Sequence, residues 1–300
     1  MTPLTGPDND VGVLLMAHGG SDAWNSAVAE AVTPISQRVP TAVAFGMADP
    51  LTLRASLDSL REEGVDRVAV VRMFISGQSF LDQTKYFLGL SESAPERLFL
   101  MGRSAQDPTA REPLRHGMEI VTHDDGLMVS PVVGDIVLER AMARSTDLGQ
   151  ESVLIIAHGM GDEGENDRVL EAMRVAAARV GEAGFGDVRV ATLREDWAEA
   201  RVEAERSLRD YVTRETASGR RVIVLPFRLS GFGPYAEVLQ GLDYLPGESL
   251  LPHSRIADWV SAIATRTACS AGWGPIDRVC PVADDGTGLT RERRETRARR

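Results

Sequence analysis

The chain is poor in residues that could staple it together. Only two of its 300 residues are cysteine, Cys269 and Cys280, and both stand near the C-terminal end. A disulfide framework for the body of the fold is thereby excluded, and the count suits a reducing cytoplasm. The cysteine spacing is unlike the C-x2-C pairs of zinc ribbons, and two thiols fall short of the four that an iron–sulfur cluster takes, so no cysteine metal centre is expected. Lysine is scarcer still, Lys85 being the single one. No G-x-x-x-x-G-K-[ST] segment is present to cradle ATP phosphates, and no G-x-S-x-G elbow marks a hydrolase. Positive charge is in deficit: 33 Lys and Arg face 44 Asp and Glu, for a net charge of −11. Nucleic acid asks for a basic surface, so no nucleic-acid partner is expected. Long apolar runs are also missing. The first, VGVLLMA at 11–17, is strand-sized and follows no basic segment, so neither a signal peptide nor stable membrane insertion is expected.

What is present suits a globular protein with a sizeable core: 43% hydrophobic and 26% charged residues. Its most informative feature is an internal repeat. LLMAHGGSD (14–22) and LIIAHGMGD (154–162) share Leu14/Leu154, Ala17/Ala157, His18/His158, Gly19/Gly159 and Asp22/Asp162. Downstream, RVAVVRMFISG (67–77) parallels RVIVLPFRLSG (221–231), both ending in Ser-Gly. Two matched segments in the same order indicate a duplicated lobe. Each is a short apolar run leading into small or polar residues, which predicts a buried parallel strand ending in a loop. Helical spacing is seen at 25–37, 50–63, 167–181, 197–218 and 256–268, and further strands are expected at 41–47, 97–102 and 187–193. Strand alternating with helix predicts βαβ units, so the expected fold is α/β: two similar lobes, each a mostly parallel sheet flanked by helices. The lobes are placed at 10–145 and 150–268. A tail at 269–300, ending in the arginine-rich RERRETRARR, is expected to be flexible and disordered.

In an open parallel sheet, ligands bind beyond the carboxyl ends of the strands. His18 and His158 stand there, each followed by a glycine that lets the backbone turn. Imidazole binds borderline divalent metals and accepts protons near neutral pH. Two of only five histidines fall at equivalent strand ends. His116, His123 and His253 lack that placement and are expected to be structural or surface residues. After the second recurrent strand, SGFGP forms an irregular turn and AEVLQGL starts a helix, placing Glu237 near the same sheet edge. Its counterpart in the first lobe is Gln83, which cannot relay protons, so one active site is expected rather than two.

These segments resemble the ATP-independent homomeric chelatases: the sirohydrochlorin cobalt or iron chelatases and, more distantly, the ferrochelatases. LLMAHGGSD is similar to the opening strand and metal-site histidine of the sirohydrochlorin type, and PLTLRASLDSLREEGVDRVAVVRMFIS to its following helix and strand. LIIAHGM with PFRLSGFGPYAEVL resembles the ferrochelatase arrangement of a facing histidine and glutamate. The resemblance implies a chelatase-like, flavodoxin-like topology. It implies His158 and Glu237 as the catalytic pair, with His18, His158 and Glu237 facing the metal. The substrates it implies are a divalent metal, Co2+ or Fe2+, and a tetrapyrrole such as sirohydrochlorin, with no ATP. A protoporphyrin ferrochelatase, or a binding protein of this fold without turnover, are the alternatives. Arg72, Arg194 and Arg228 are candidates to meet substrate carboxylates. One departure stands out. Sirohydrochlorin chelatases usually carry a second histidine after the turn of the second recurrent strand, where this chain has Gln78-Ser79 and Phe232-Gly233. Either each lobe supplies one histidine, or metal choice differs, or activity has been lost.

Overall fold

The structure, a computed structural model, describes residues 10–276 and 279–281. The first lobe runs β1 (Val11–Ala17), α1 (Asp22–Ser36), β2 (Thr41–Phe45), α2 (Pro50–Glu62), β3 (Arg67–Arg72), α3 (Leu81–Phe87), α4 (Gly102–Gln106), β4 (Glu119–Thr122) and α5 (Pro131–Met142). The second runs β5 (Glu151–Ala157), α6 (Glu163–Glu182), β6 (Asp187–Thr192), α7 (Ala198–Ala217), β7 (Arg221–Pro226), α8 (Tyr235–Val238), β8 (Leu245–Pro246) and α9 (Ser254–Ser270). Strand orders are β2-β1-β3-β4 and β6-β5-β7-β8, and every recorded pairing is parallel. The two sheets thus have the same order, as a duplicated lobe requires. No described helix is long and apolar enough to cross a membrane.

Both central strands are buried on both faces, and the strand period of two divides their side chains between layers. Val13, Leu15 and Ala17 of β1 lie in one core cluster with Val153, Ile155 and Ala157 of β5. Leu14 and Met16 face the other way, onto Leu53, Leu57 and Leu60 of α2. Leu154 and Ile156 likewise face Leu208 and Val212 of α7. The shared middle layer holds α1, α5, α6 and α9, and here the helices exchange partners. α5 follows the first sheet but packs on α6 and β7, whereas α9 closes the chain against α1, β3 and β4 of the first lobe.

Local chemistry explains the boundaries. Asp49 accepts from the N–H groups of Leu51 and Thr52 ahead of Pro50, and Ser130 accepts from Val132 ahead of Pro131, both capped starts with proline in the first turn. Two expectations need correction. Residues 97–102 form no strand, because the N–H and C=O of Phe99 are both taken by the Gln83 side-chain amide, leaving no ladder bond there. α9 runs on to Ser270, so Cys269, placed in the tail by its sequence surroundings, belongs to the helix's last turn. Cys269 is bonded to Cys280, closing a short loop in which Trp273 N–H donates to Ala268 O. The arginine-rich 291–300 lies outside the described residues.

Candidate active site

β1 and β5 each end in an alanine, and the next residue is a histidine at the carboxyl edge of its sheet. Gly19 (φ +75°) and Gly159 (φ +86°) then turn the chain in the left-handed region. A Cβ on Gly159 would also stand 2.8 Å from Thr192 Cβ, so that position tolerates no larger residue. His158 is half-exposed. Its Nδ1 lies 2.9 Å from the Gly159 carbonyl and its Nε2 3.2 Å from Asp196 and 4.0 Å from Glu195. The carbonyl and the carboxylates can only accept, so the ring donates its hydrogen to one side or the other, through Nδ1 to Gly159 O or through Nε2 to Asp196. An imidazole with a carboxylate at hydrogen-bond distance suits the exchange of a proton between them. Trp197 packs edge-on to the imidazole at 5.8 Å. Gly161 makes room for this indole, since a Cβ there would stand 2.0 Å from the indole nitrogen.

The backbone brings these groups together. Arg194 adopts φ +57°, and its guanidinium holds the Gly161 carbonyl at 2.7 Å and the Glu163 carboxylate at 2.9 Å. That turn swings Glu195 and Asp196 over the end of β5, where Glu195 N–H donates to His158 O at 3.2 Å. Glu195 is mostly buried and also pairs with Arg228 and accepts from the Tyr235 hydroxyl at 3.2 Å. Burial, then the charge of Glu195, raises the Tyr235 phenol, which therefore stays protonated as a donor.

His18 completes the arrangement from the first lobe. Its ring packs edge-on against Phe74 (4.9 Å) and Phe80 (5.7 Å) while the residue keeps an exposed edge. Its pKa lies below the ordinary 6.5, first through loss of water around the ring, then through the positive charge of Arg228 and the electrostatic influence of the His158 ring. Those two residues belong to the second lobe, so the two strand-end histidines sit within electrostatic reach of one another. At neutral pH His18 offers a lone pair.

Other candidates fall elsewhere. Glu237 is exposed on α8, within electrostatic reach of Arg201, and the carboxylates beside His158 are Asp196 and Glu195. Among the described residues, no three His, Cys, Asp or Glu side chains gather closely enough to hold a metal ion unaided. Gln83 is buried and ties down loops. Arg72 and Arg194 are spent on their own loops: Arg72 is buried, bonded to Gly77 O and Ser79 O, and pulled down to about 10 by loss of water. Of the three candidate arginines, Arg228 faces the site. His116 bridges Leu88 O and Met118 N–H, His123 accepts from Arg72 N–H, and His253 caps α9, three structural roles. Glu195 and Asp196 were not singled out by sequence. Their signal is an acidic pair that begins three residues beyond the end of β6, the strand beside that of His158.

No family model matches the chain, and no curated protein matches it by sequence. Solved structures do match. SirB from Bacillus subtilis with Fe3+ superposes with a TM-score of 0.60 at 13% identity, over 88% of this chain and 97% of that one. The cobalt complex of the sirohydrochlorin chelatase SirB from Bacillus subtilis subspecies spizizenii gives 0.56 at 12% identity, over 88% and 97%. The fold is that of the sirohydrochlorin chelatases. A multi-domain protein of Deinococcus radiodurans, described as structurally similar to chelatases but with two additional novel domains, gives 0.52 at 19% identity over 85% of this chain. This chain spans about half, 54%, of that longer protein. At such identities the likeness concerns the fold, and the chemistry has to be argued from the residues.

Proposed function

We propose that this chain inserts a divalent metal, cobalt or iron, into a tetrapyrrole such as sirohydrochlorin, without ATP. The observation that carries the proposal is the pairing of His18 and His158 from equivalent strand ends, with Glu195 and Asp196 beside one of them. The incoming metal meets the Nε2 lone pair of His158 and the Asp196 carboxylate, with neutral His18 opposite. Few protein ligands suit an ion that must be handed on, because the pyrrole nitrogens supply the rest of its coordination. As the dication enters, two pyrrole N–H protons leave, so the ring's charge balances. Asp196 and Glu195 are the nearest acceptors, and Glu237, on the same short helix as Tyr235, is proposed to pass protons to solvent. Arg228 meets a substrate carboxylate when it releases Glu195.

A second reading is a carrier that binds tetrapyrrole or metal without turnover. The engagement of His158 Nε2 by Asp196 favours it, since a metal must displace that contact. Single-turnover absorbance with excess Co2+ or Fe2+ and metal-free sirohydrochlorin separates the two. Wild type is expected to insert metal and a folded His158→Ala variant to lose insertion. Near wild-type rates in that variant would remove His158 from the mechanism, and tetrapyrrole binding without insertion in wild type would leave the carrier.

A further inference from the structure

Resting on the tetrapyrrole reading of this site, we infer that Phe80, Phe99 and Met101 form an apolar shelf beside His18 that takes the flat face of the macrocycle, and that Gln83 is the positioning residue that builds it. Residues 97–101 have the alternation of a strand without being one. Leu98 and Leu100 pack down on the first lobe's core, while Phe99 is 45% and Met101 62% exposed. From His18 the rings run outward in edge-to-face steps, 5.7 Å to Phe80 and then 5.6 Å to Phe99, with Phe74 beneath at 5.6 Å from Phe80. A single exposed phenylalanine is ordinary, but contiguous exposed apolar groups reaching a metal-facing histidine mark a binding surface.

This surface is held open by identifiable contacts. Phe80 adopts φ +53°, an uncommon conformation for a bulky residue, and its carbonyl accepts from Thr84 N–H at 2.8 Å and Thr84 Oγ1 at 2.7 Å. Gln83 is buried, donating to Phe99 O at 3.0 Å and Met47 O at 2.9 Å and accepting from Phe99 N–H at 2.7 Å. An amide thus does for residues 97–101 what a neighbouring strand would do. The same sequence position holds Glu237 in the second lobe, so one lobe carries an acid where the other carries a clamp.

Arg97 lies over the Phe99 ring at 5.1 Å, Lys85 pairs with Asp124, and Arg72 is buried. The shelf therefore binds by apolar contact with the ring face, with Arg97 at its rim for one carboxylate, and not by a set of carboxylate–cation pairs.

The test is quenching of porphyrin fluorescence, with metal-free octacarboxylate and dicarboxylate porphyrins as probes. Phe99→Ala is expected to weaken binding of both about tenfold, and Phe99→Tyr to restore it to within about twofold. Raising salt from about 50 to about 500 mM should change wild-type affinity less than about threefold. Gln83→Ala should raise the tetrapyrrole KM while leaving the single-turnover rate at saturation near wild type. Wild-type affinity in Phe99→Ala, or a steep salt dependence in wild type, would overturn the shelf and leave the proposed function standing. So would a Phe99→Ala variant that turns a dimer into a monomer at unchanged affinity, since the face would then be a self-association surface. If neither porphyrin nor sirohydrochlorin binds wild type, the tetrapyrrole reading fails and the shelf with it.

Discussion

His18 and His158 share a strand-end position but not an environment. His18 is packed against phenylalanines and faces positive charge, which keeps it neutral. His158 faces carboxylates, which gives it somewhere to send a proton. That division predicts how substitutions separate. Asp196→Asn and Glu195→Gln are each expected to slow metal insertion by about 10²-fold or more, with tetrapyrrole affinity within about twofold of wild type. Glu237→Gln should also slow insertion with binding retained, but by less, because Glu237 stands at the exposed rim and not beside the imidazole. Single-turnover absorbance paired with fluorescence titration measures both quantities. If Glu237→Gln proves more damaging than Asp196→Asn, proton removal is centred on α8 and not on the acidic pair. The histidines were legible in the sequence because the repeat singled them out among five. The acidic pair was not, because its placement depends on the left-handed turn at Arg194 and the clamp from Arg194 to Gly161 and Glu163, which no periodicity announces.

At the scale of elements, periodicity located the central strands and the long helices to within a few residues, since strands buried on both faces and helices with one apolar face leave clear patterns. Shorter pieces escaped. β4 has four residues and β8 two, too few for a pattern, and α5 is announced by the capping signal Ser130-Pro131 more than by helical periodicity. The exchange of α5 and α9 between lobes was not legible either, because a repeat predicts that each lobe closes on its own helices. It has a testable consequence. Trp259 of α9 is 4% exposed within the core cluster that contains residues of both sheets, and α9 covers α1 and β3 of the other lobe. Trp259→Ala is expected to cost about 3–5 kcal/mol, read as a lower urea midpoint. The first lobe's elements should not survive this loss on their own, so far-UV circular dichroism of the whole chain should show one shifted transition and not two. A stability within about 1 kcal/mol of wild type would mean that α9 contributes little to the first lobe.

For the molecule as a whole, the shared middle layer joins the two lobes, and dependence of stability on pH is expected from two carboxylates at the start of β5 and the end of α7. Glu151 and Glu215 are buried, at 0% and 5% exposure. Burial pushes the Glu151 carboxyl up, but the Ser145 hydroxyl, the N–H groups of Thr146 and Asp147, and Arg221 outweigh it and leave it below the ordinary 4.5. Burial likewise raises Glu215, and Arg220, Ser152 and Arg214 together bring it below 4.5. A carboxylate whose folded pKa is depressed stabilises the fold above its unfolded value and loses that contribution as pH falls through the folded one. The urea midpoint should therefore hold steady from neutral pH down to about 4.5 and fall below it. Asp10, Asp107, Glu139 and Glu163 are also held low, but they are more exposed and their pairs are screened by solvent, so they should add little. A Glu151→Gln, Glu215→Gln double variant is the discriminating measurement. It removes the two titrating groups, so it should be less stable at neutral pH yet lose less on acidification, and its midpoint-against-pH curve should be visibly flatter below 4.5. An acid slope as steep as that of wild type would place the acid sensitivity in the exposed pairs instead, and the buried network would then stabilise the fold by shape and hydrogen bonding alone.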